Sequence, residues 1–512
     1  MEITRREFLE KGSKGLLAAG VASRLSEDGI GRAFAASPQQ RGGIGPYLER
    51  FGVDQAAIRA VITEGLSKAG DYCDLFFQHR VGCRIGLEDE AVNRASSNVE
   101  LGVGIRVLKG EQTGYSFSER IDMDAMKSAA RTAANIADAA GSAKAVELKL
   151  HETKNYYPVK RPWEDVSINE KMPFLQKIND RVFTLDKRIV KCTISFFNET
   201  VWILFADSEG KLAFDYQPMT TVSATCTAEK DGRREENFAS MGGRYGVEML
   251  TDDNAAKLAD EAVRQTVRLF EAVKPAGGEM EVVLGPGHSG ILLHEAIGHG
   301  LEADANRRQV SIFCDKIGKR VANDFVNIVD DGTVPNNRGA INIDDEGNDT
   351  EKTVLVENGI LRGYLHDRIS AAHYKSRPTG NGRRESFRYA PQPRMRNTYM
   401  LNGPHKAEEI IASVKKGLYA EKLTNGEVHV GAGDFTFYVK SGSLIEDGKL
   451  TRPVKDINII GNGPQVLRDI VMVADDLTFA NPGGTCGKGG QWVPVCDGVP
   501  TTKVSKMTVG GA

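Results

Sequence analysis

The segment HEAIGH carries His294, Glu295 and His299, residue types that can hold a divalent metal ion and move a proton beside it. In the HExxH pattern of zinc proteases the two histidines stand four apart and share one helix face. Here they stand five apart, about 140° round an ideal helix, so a regular helix would point the rings away from each other. The spacing therefore predicts a local irregularity, a π-type turn or an unwinding after Ile297, with Gly298 and Gly300 easing the distortion. The plainer reading makes His294 a satisfied core histidine and Glu295 a solvated carboxylate. Two imidazoles are also too few for a catalytic zinc site, which uses three protein ligands and an open position. Glu302, Asp304 and the distant Cys486 are the candidate third donors.

The elements that must hold these residues can be read around them. GPGHSGILLHEAIGHGLEAD follows the strand-like EVVL and turns through Pro286 and Gly287, and Ser289 is read as a helix N-cap ahead of ILL. Beyond it, short alternating runs (KTVLVENGILRGYLH, FTFYVKSGSLIEDGKL, KDINIIGNG) divided by NG, DG and GNG predict a largely β domain. Upstream, AAIRAVITEGLSKAG, DAMKSAARTAANIADAAG and DDNAAKLADEAVRQTVRLFEA read as helices, while YCDLFFQHRVGCRIGLEDE and VELGVGIRVLKGEQTGYSFS read as strands. The fold class is α+β. The glycines and Pro275 of KPAGGE separate an N-terminal domain, 37–274, from a C-terminal one, 275–512.

Bulk properties narrow the function. The chain of 512 residues is 40% hydrophobic and 26% charged with a net charge of −3, enough for two cores but without the basic surface that phosphate neutralisation requires. Nucleic acid is accordingly not expected as a partner. Beyond the first forty residues no apolar run approaches the roughly 18 residues of a membrane span, so no stable membrane insertion is expected. Seven cysteines lie without a CxxC pair, which rules out reading a disulfide framework or zinc ribbon.

The N-terminus reads TRREFLEKG, then GLLAAGVAS, then AFAAS, with Ala33 and Ala35 placed for an A-x-A cleavage site. Arg5 and Arg6, followed by Phe8 and Leu9, resemble a twin-arginine export signal, whose passengers cross the membrane folded. Residues 1–36 are thus read as a signal peptide and the protein as periplasmic. The alternative is a basic N-terminal arm on a cytoplasmic protein.

HEAIGHGLEAD, DDEG, ENGILRGYLHDR, NGRRESFRYAPQPRMRNTYM, IIGNGP and PGGTCGKGGQ together resemble the signature blocks of the TldD/PmbA peptidase family, on its catalytic, TldD-like side. The similarity covers nearly all of residues 280–512, and VGIRVLKGEQTGYSFS resembles an N-terminal family block. The resemblance implies a zinc metallopeptidase with an α/β N-terminal domain and a β-rich C-terminal domain. It also implies that His294, His299 and Cys486 bind one zinc ion, and that substrates are unfolded or extended peptides. A dimer is implied, formed with a PmbA-like (TldE) subunit or with a second copy. The export signal departs from the family's best-known, cytoplasmic members.

A thiolate and two imidazoles suit zinc, with another transition metal as the alternative. A water at the open position, deprotonated by Glu295, would attack the peptide carbonyl. Tyr364, His366, Arg383 and Arg384 are candidates for stabilising the oxyanion; the plainer reading pairs the arginines with Asp344 or Asp345 and lets His366 cap a turn. Asp344 to Gly347 lacks the spaced carboxylates of a calcium loop. Cys496 is a possible disulfide partner that would remove Cys486 from the ion, and Lys488 is positioned to favour the Cys486 thiolate. Peptides would be selected by pairing to an exposed strand edge. The competing reading is a non-catalytic peptide-binding or scaffold subunit that keeps the metal for structure.

Overall fold

A computed structural model of the chain describes residues 43–88, 90–136 and 145–511. The proposed signal segment, 1–36, lies outside the described residues. Among those described, no helix is long and apolar enough to cross a membrane.

The upstream half is one antiparallel sheet of long strands, β1 (Tyr72–Glu88), β2 (Ala91–Lys109), β3 (Gln112–Ser118), β4 (Ile189–Asp207), β5 (Lys211–Lys230) and β6 (Arg233–Gly243). The order is β3-β2-β1-β4-β5, with β6 and the short Lys149–Leu150 strand both pairing β5. Side chains alternate across a strand, so each face has its own residues. Cys73, Leu75 and Phe77, then Ile85 and Leu87, share one face of β1. Helices α1 (Gly45–Phe51), α2 (Gln55–Gly65) and α3 (Met123–Ile136) cover one end of that face, and α4 (Ile168–Leu185) and α5 (Asp252–Val267) cover the other. Each cap or pattern has a local cause: Asp54 caps α2, and Ser167 and Glu170 form a capping box on α4.

The opposite face, Phe76, Val201, Ile203 and Phe205, packs on Ile343 and Phe387 from the downstream half. Gly102 of β2 must be glycine for this contact, because a Cβ there would stand 2.2 Å from the Phe387 ring. Arg106, paired in register with Asp74, bonds that carboxylate at 2.7 Å and reaches Glu346 of the downstream half at 2.6 Å.

The downstream strands include β7 (Gly278–Leu284), β8 (Ile328–Asp331), β9 (Lys352–Glu357), β10 (Asn397–Met400), β11 (Lys416–Val428), β12 (Asp434–Glu446), β13 (Ile457–Asn462), β14 (Gly484–Lys488), β15 (Gln491–Val499) and β16 (Thr502–Gly511). Five of them close a ring, β11-β7-β16-β13-β12, since β11 and β12 also pair. Closure leaves no open edge on that ring's paired span. The others form a second sheet, β9-β8-β10-β15, to which β14 adds as a hairpin arm on β15. The α+β class and the β-rich downstream half read from the sequence are present.

The segment between β7 and β8 packs Leu292, Leu293 and Ile297 into the core shared by Leu418, Phe435, Phe437, Val493 and Val495. A rigid apolar base thus fixes the polar residues that follow.

Candidate metal centre

The chain leaves β7, reverses at Gly287 with φ 83°, and enters a 3₁₀ turn, His288–Gly290. Ser289 is inside this turn and does not cap a helix: its Oγ donates to the Gly285 carbonyl. A single helical turn, Ile291–Leu293, leads into a π-helical turn, His294–Gly298, closed by the His299 N–H donating to the His294 carbonyl. That i+5 bond is what a five-residue histidine spacing requires if both rings are to share a face. The role read for the glycines differs. Gly298 has φ −56°, an ordinary helical value, and its need is spatial, since a Cβ there would meet Met395 Sδ at 2.1 Å. Gly300 likewise faces Phe313.

The two rings stand with centroids 4.9 Å apart and nearly perpendicular. Cys486 Sγ lies 3.3 Å from His299 Nε2, although 187 positions separate the residues. One donor atom each from His294, His299 and Cys486 falls within 4.8 Å of the others, and all three residues are buried. Each imidazole is oriented from behind. His294 Nδ1 is 3.0 Å from Asp497 Oδ1, and His299 Nδ1 is 2.9 Å from Glu302 Oε2. This carboxylate–histidine arrangement commits both Nδ1 atoms and leaves each Nε2 for an ion. Two imidazoles and one thiolate are a zinc-type donor set with room for one further ligand, so the residues fit the metal.

The charges of the three donors are coupled to one another and to the carboxylates behind them. Burial by itself would lower His294 and His299, but the charges around them prevail: Cys486 and Asp497 raise His294 well above its ordinary range, and Glu302 and Cys486 raise His299 to about 10. Against burial, the two imidazoles hold the Cys486 thiol well below its usual value. Lys488, read from sequence as favouring the thiolate, turns its ammonium to carboxylates. Its Nζ is 2.6 Å from Asp304 and 3.1 Å from Glu302, and with His299 it brings Glu302 down to about 2 despite burial. Glu295 stands apart from this outer ring. Its carboxylate is largely buried, 4.0 Å from His299 Nε2, and burial raises its pKa, the direction a general base at neutral pH needs.

A cleft of about 830 Å³ opens on the three donors and Glu295. Its walls include Gly484–Lys488, Trp492, Arg308, Val310, Gly426, Glu427 and Val428. Tyr364, His366, Arg383 and Arg384 are not among its lining residues. Tyr364 donates to the Phe313 carbonyl, Arg383 to that of Met395, and Arg384 to that of Asp345. His366 is buried and held neutral, with a pKa near 4, by that burial. Cys496 is not placed to oxidise Cys486: Val493 and Val495 face the Cys486 side of the hairpin, so Cys496 is on the other face, donating to the Ala480 carbonyl. Glu302 and Asp304 lie outside the cluster of three donors, Glu302 against His299 Nδ1 and Asp304 against Lys488. Asp497 was not found from sequence, and no local signal marks it in VCDGVP.

Comparison with known proteins adds an independent line. The sequence matches the PmbA/TldA metallopeptidase models in three stretches: domain 1 over 73–137, the central domain over 161–270 and the C-terminal domain over 277–511. It is 38% identical over 448 residues to a metalloprotease TldD homolog of Buchnera aphidicola, covering 86% of this chain and 93% of that one. A zinc metalloprotease TldD homolog of Saccharolobus solfataricus is 31% identical over 351 residues, covering 68% and 78% respectively. The crystal structure of TldE from Thermococcus kodakarensis shares the fold, with a TM-score of 0.69 at 18% identity, covering 89% of this chain and 100% of that one.

Proposed function

The chain belongs to the TldD/PmbA metallopeptidase family, and on that premise we propose that it is a zinc-dependent peptidase that hydrolyses unfolded or extended peptides, with Glu295 as general base. The observation that carries this is the meeting of His294, His299 and Cys486 at the floor of an open cleft, with one carboxylate beside them that supports none of the three. A zinc ion in that donor set supplies a Lewis acid and makes a neighbouring water acidic near neutral pH. Glu295 takes the proton from that water and returns it to the departing amine. Asp497 and Glu302 keep the imidazoles in their ligating orientation throughout, and Arg394, donating to the Cys486 carbonyl at 2.6 Å, fixes the strand that carries the sulfur.

Substrate binding follows from β14. Gly489 and Gly490, with φ of 57° and 73°, make a two-residue turn, so Lys488 and Gln491 are a hydrogen-bonded pair. Alternation then turns the backbone groups of Thr485 and Gly487 outward, consistent with Thr485 standing opposite Pro494, which has no N–H. Among the described residues no strand pairs with this outer edge, which lines the cleft. An extended peptide can add there as a further strand, with affinity from its backbone, whereas a folded protein offers no such strand. The N-terminal Arg5–Arg6 pattern supports export of the folded, loaded enzyme, and the family supports assembly with a PmbA-like subunit or a second copy.

Glu295→Gln tests the reading. The variant is expected to keep its zinc and lose about 10²- to 10⁴-fold in kcat on a denatured protein substrate. A zinc-loaded wild type that cleaves nothing would instead mark a scaffold subunit. Equal cleavage of a compact protein and its unfolded form would contradict selection by strand addition.

A further inference from the structure

Of the three tryptophans, Trp163 and Trp202 are buried at 3% and 5% exposure, while Trp492 is 60% exposed and lines the cleft. A large exposed aromatic on a catalytic cleft calls for an explanation. Its setting supplies one. Trp492 is the register partner of Gly487, so it lies on the hairpin face opposite Cys486. The six-membered edge of its indole leans over Gly487: a Cβ built there would stand 2.7 Å from Cζ3 and 2.9 Å from Cη2. The ring therefore crosses β14 towards the unpaired edge, and only glycine at 487 leaves it that path.

We infer that Trp492 is a specificity-determining residue: it forms an apolar subsite for one bulky aliphatic or aromatic side chain of the bound peptide, adjacent to the residue that faces the metal ligands. The inference rests on the peptidase reading and on strand addition to β14. A strand added to that edge lies about 4.8 Å from β14, and its residue opposite Gly487 projects on the Trp492 face. The next residue in either direction projects on the Cys486 face, where His294 and His299 converge. A peptide thus presents one side chain to the indole and its neighbours to the catalytic groups. The apolar character continues on the cleft wall in Val310, 57% exposed, and in Val430, whose carbonyl accepts from the Ile312 N–H and so ties the two segments together.

Because the other two tryptophans are buried, acrylamide quenching of the intrinsic fluorescence reports mainly on Trp492. The probes are two unstructured peptides identical but for phenylalanine or alanine at the varied position, scanned along the sequence. In zinc-loaded Glu295→Gln protein, the phenylalanine peptide at one position is expected to shield the indole, and the alanine peptide to shield it less. In the active protein, Trp492→Ala should raise KM for that phenylalanine peptide about tenfold more than for the alanine peptide, and the difference should be largely restored by Trp492→Phe. Hydrolysis with unchanged constants in Trp492→Ala overturns this inference alone. So does an indole already shielded without peptide and uncovered on dilution, which would assign Trp492 to a subunit interface. A zinc-loaded wild type without hydrolysis overturns the peptidase reading, and this inference with it.

Discussion

Two buried constellations of charge sit in the downstream half, and only one is built to act. Around Asp344 to Glu346 the carboxylates face protein on every side. Asp344 accepts from the Glu346, Asn348 and Gly382 amides, Asp345 from the Arg384 amide, and Glu346 from Arg106 and the Arg368 amide. At the metal centre the same kinds of group point their outer atoms at protein and their inner atoms at one shared position. Asp497 and Glu302 use up the Nδ1 atoms, and the remaining nitrogens and sulfur converge. Burial and charge therefore do not distinguish a site from a joint between halves. The direction of the uncommitted lone pairs does.

Perturbing each region in turn sharpens the contrast. The largest effect is expected from Cys486→Ala, which should strip zinc from the purified protein and take hydrolysis to background while the fold persists; inductively coupled plasma analysis beside circular dichroism reads both. Arg106→Met should do the reverse. It leaves Glu346 buried without its cation and Asp74 with Arg384 alone, costing about 3–5 kcal/mol in denaturant titrations, while the zinc content of the folded fraction is unchanged. Loss of zinc in that variant would break the distinction between the two regions.

Smaller effects follow from the supporting carboxylates. Asp497→Asn and Glu302→Gln are each expected to weaken zinc affinity by about 10- to 100-fold in chelator competition, with the ion retained at saturation. An unchanged affinity in both would show that the rings are held by packing alone. The smallest effect concerns Asp367, which caps the Arg368–His373 helix and whose carboxyl is pushed up to about 6 by burial and then by the Glu346 charge. A raised carboxyl stabilises the fold below its unfolded value near pH 4, and that stability is lost as pH rises through about 6. Asp367→Asn keeps the cap and should flatten the decline of unfolding free energy over that interval, by at most about 1.4 kcal/mol per pH unit, as read by denaturant titration at each pH.

How much could be read beforehand varies with distance along the chain. His294, Glu295 and His299 are local, and their five-residue spacing predicted a π turn or an unwinding, of which the structure contains the first. The strands of the ring were legible from alternation in runs such as FTFYVKSGSLIEDGKL, because one face is buried and the other wet. In contrast, β4 is buried on both faces from Val201 to Asp207, so alternation gives little signal there. Cys486 stood as one of three candidate donors until the family's TCGK block singled it out, and Asp497 was not found at all: the β14–β15 hairpin brings the first beside His299 and the second behind His294, a tertiary pairing that residue type does not encode. Tyr364, Arg383 and Arg384, offered as candidates for the oxyanion beside a plainer structural reading, donate to loop carbonyls, and Arg384 also meets Asp345 as that plainer reading had it, so a conspicuous block does not by itself say which way its polar groups point.

The central claim is that one sulfur and two imidazoles hold a single ion with a position left open. X-ray absorption at the zinc edge of the purified protein measures that shell directly. The account predicts one sulfur near ~2.3 Å, two imidazole nitrogens near ~2.0 Å and one light atom from solvent. A shell of nitrogen and oxygen only, or a protein that takes up no zinc with both histidines intact, would contradict it.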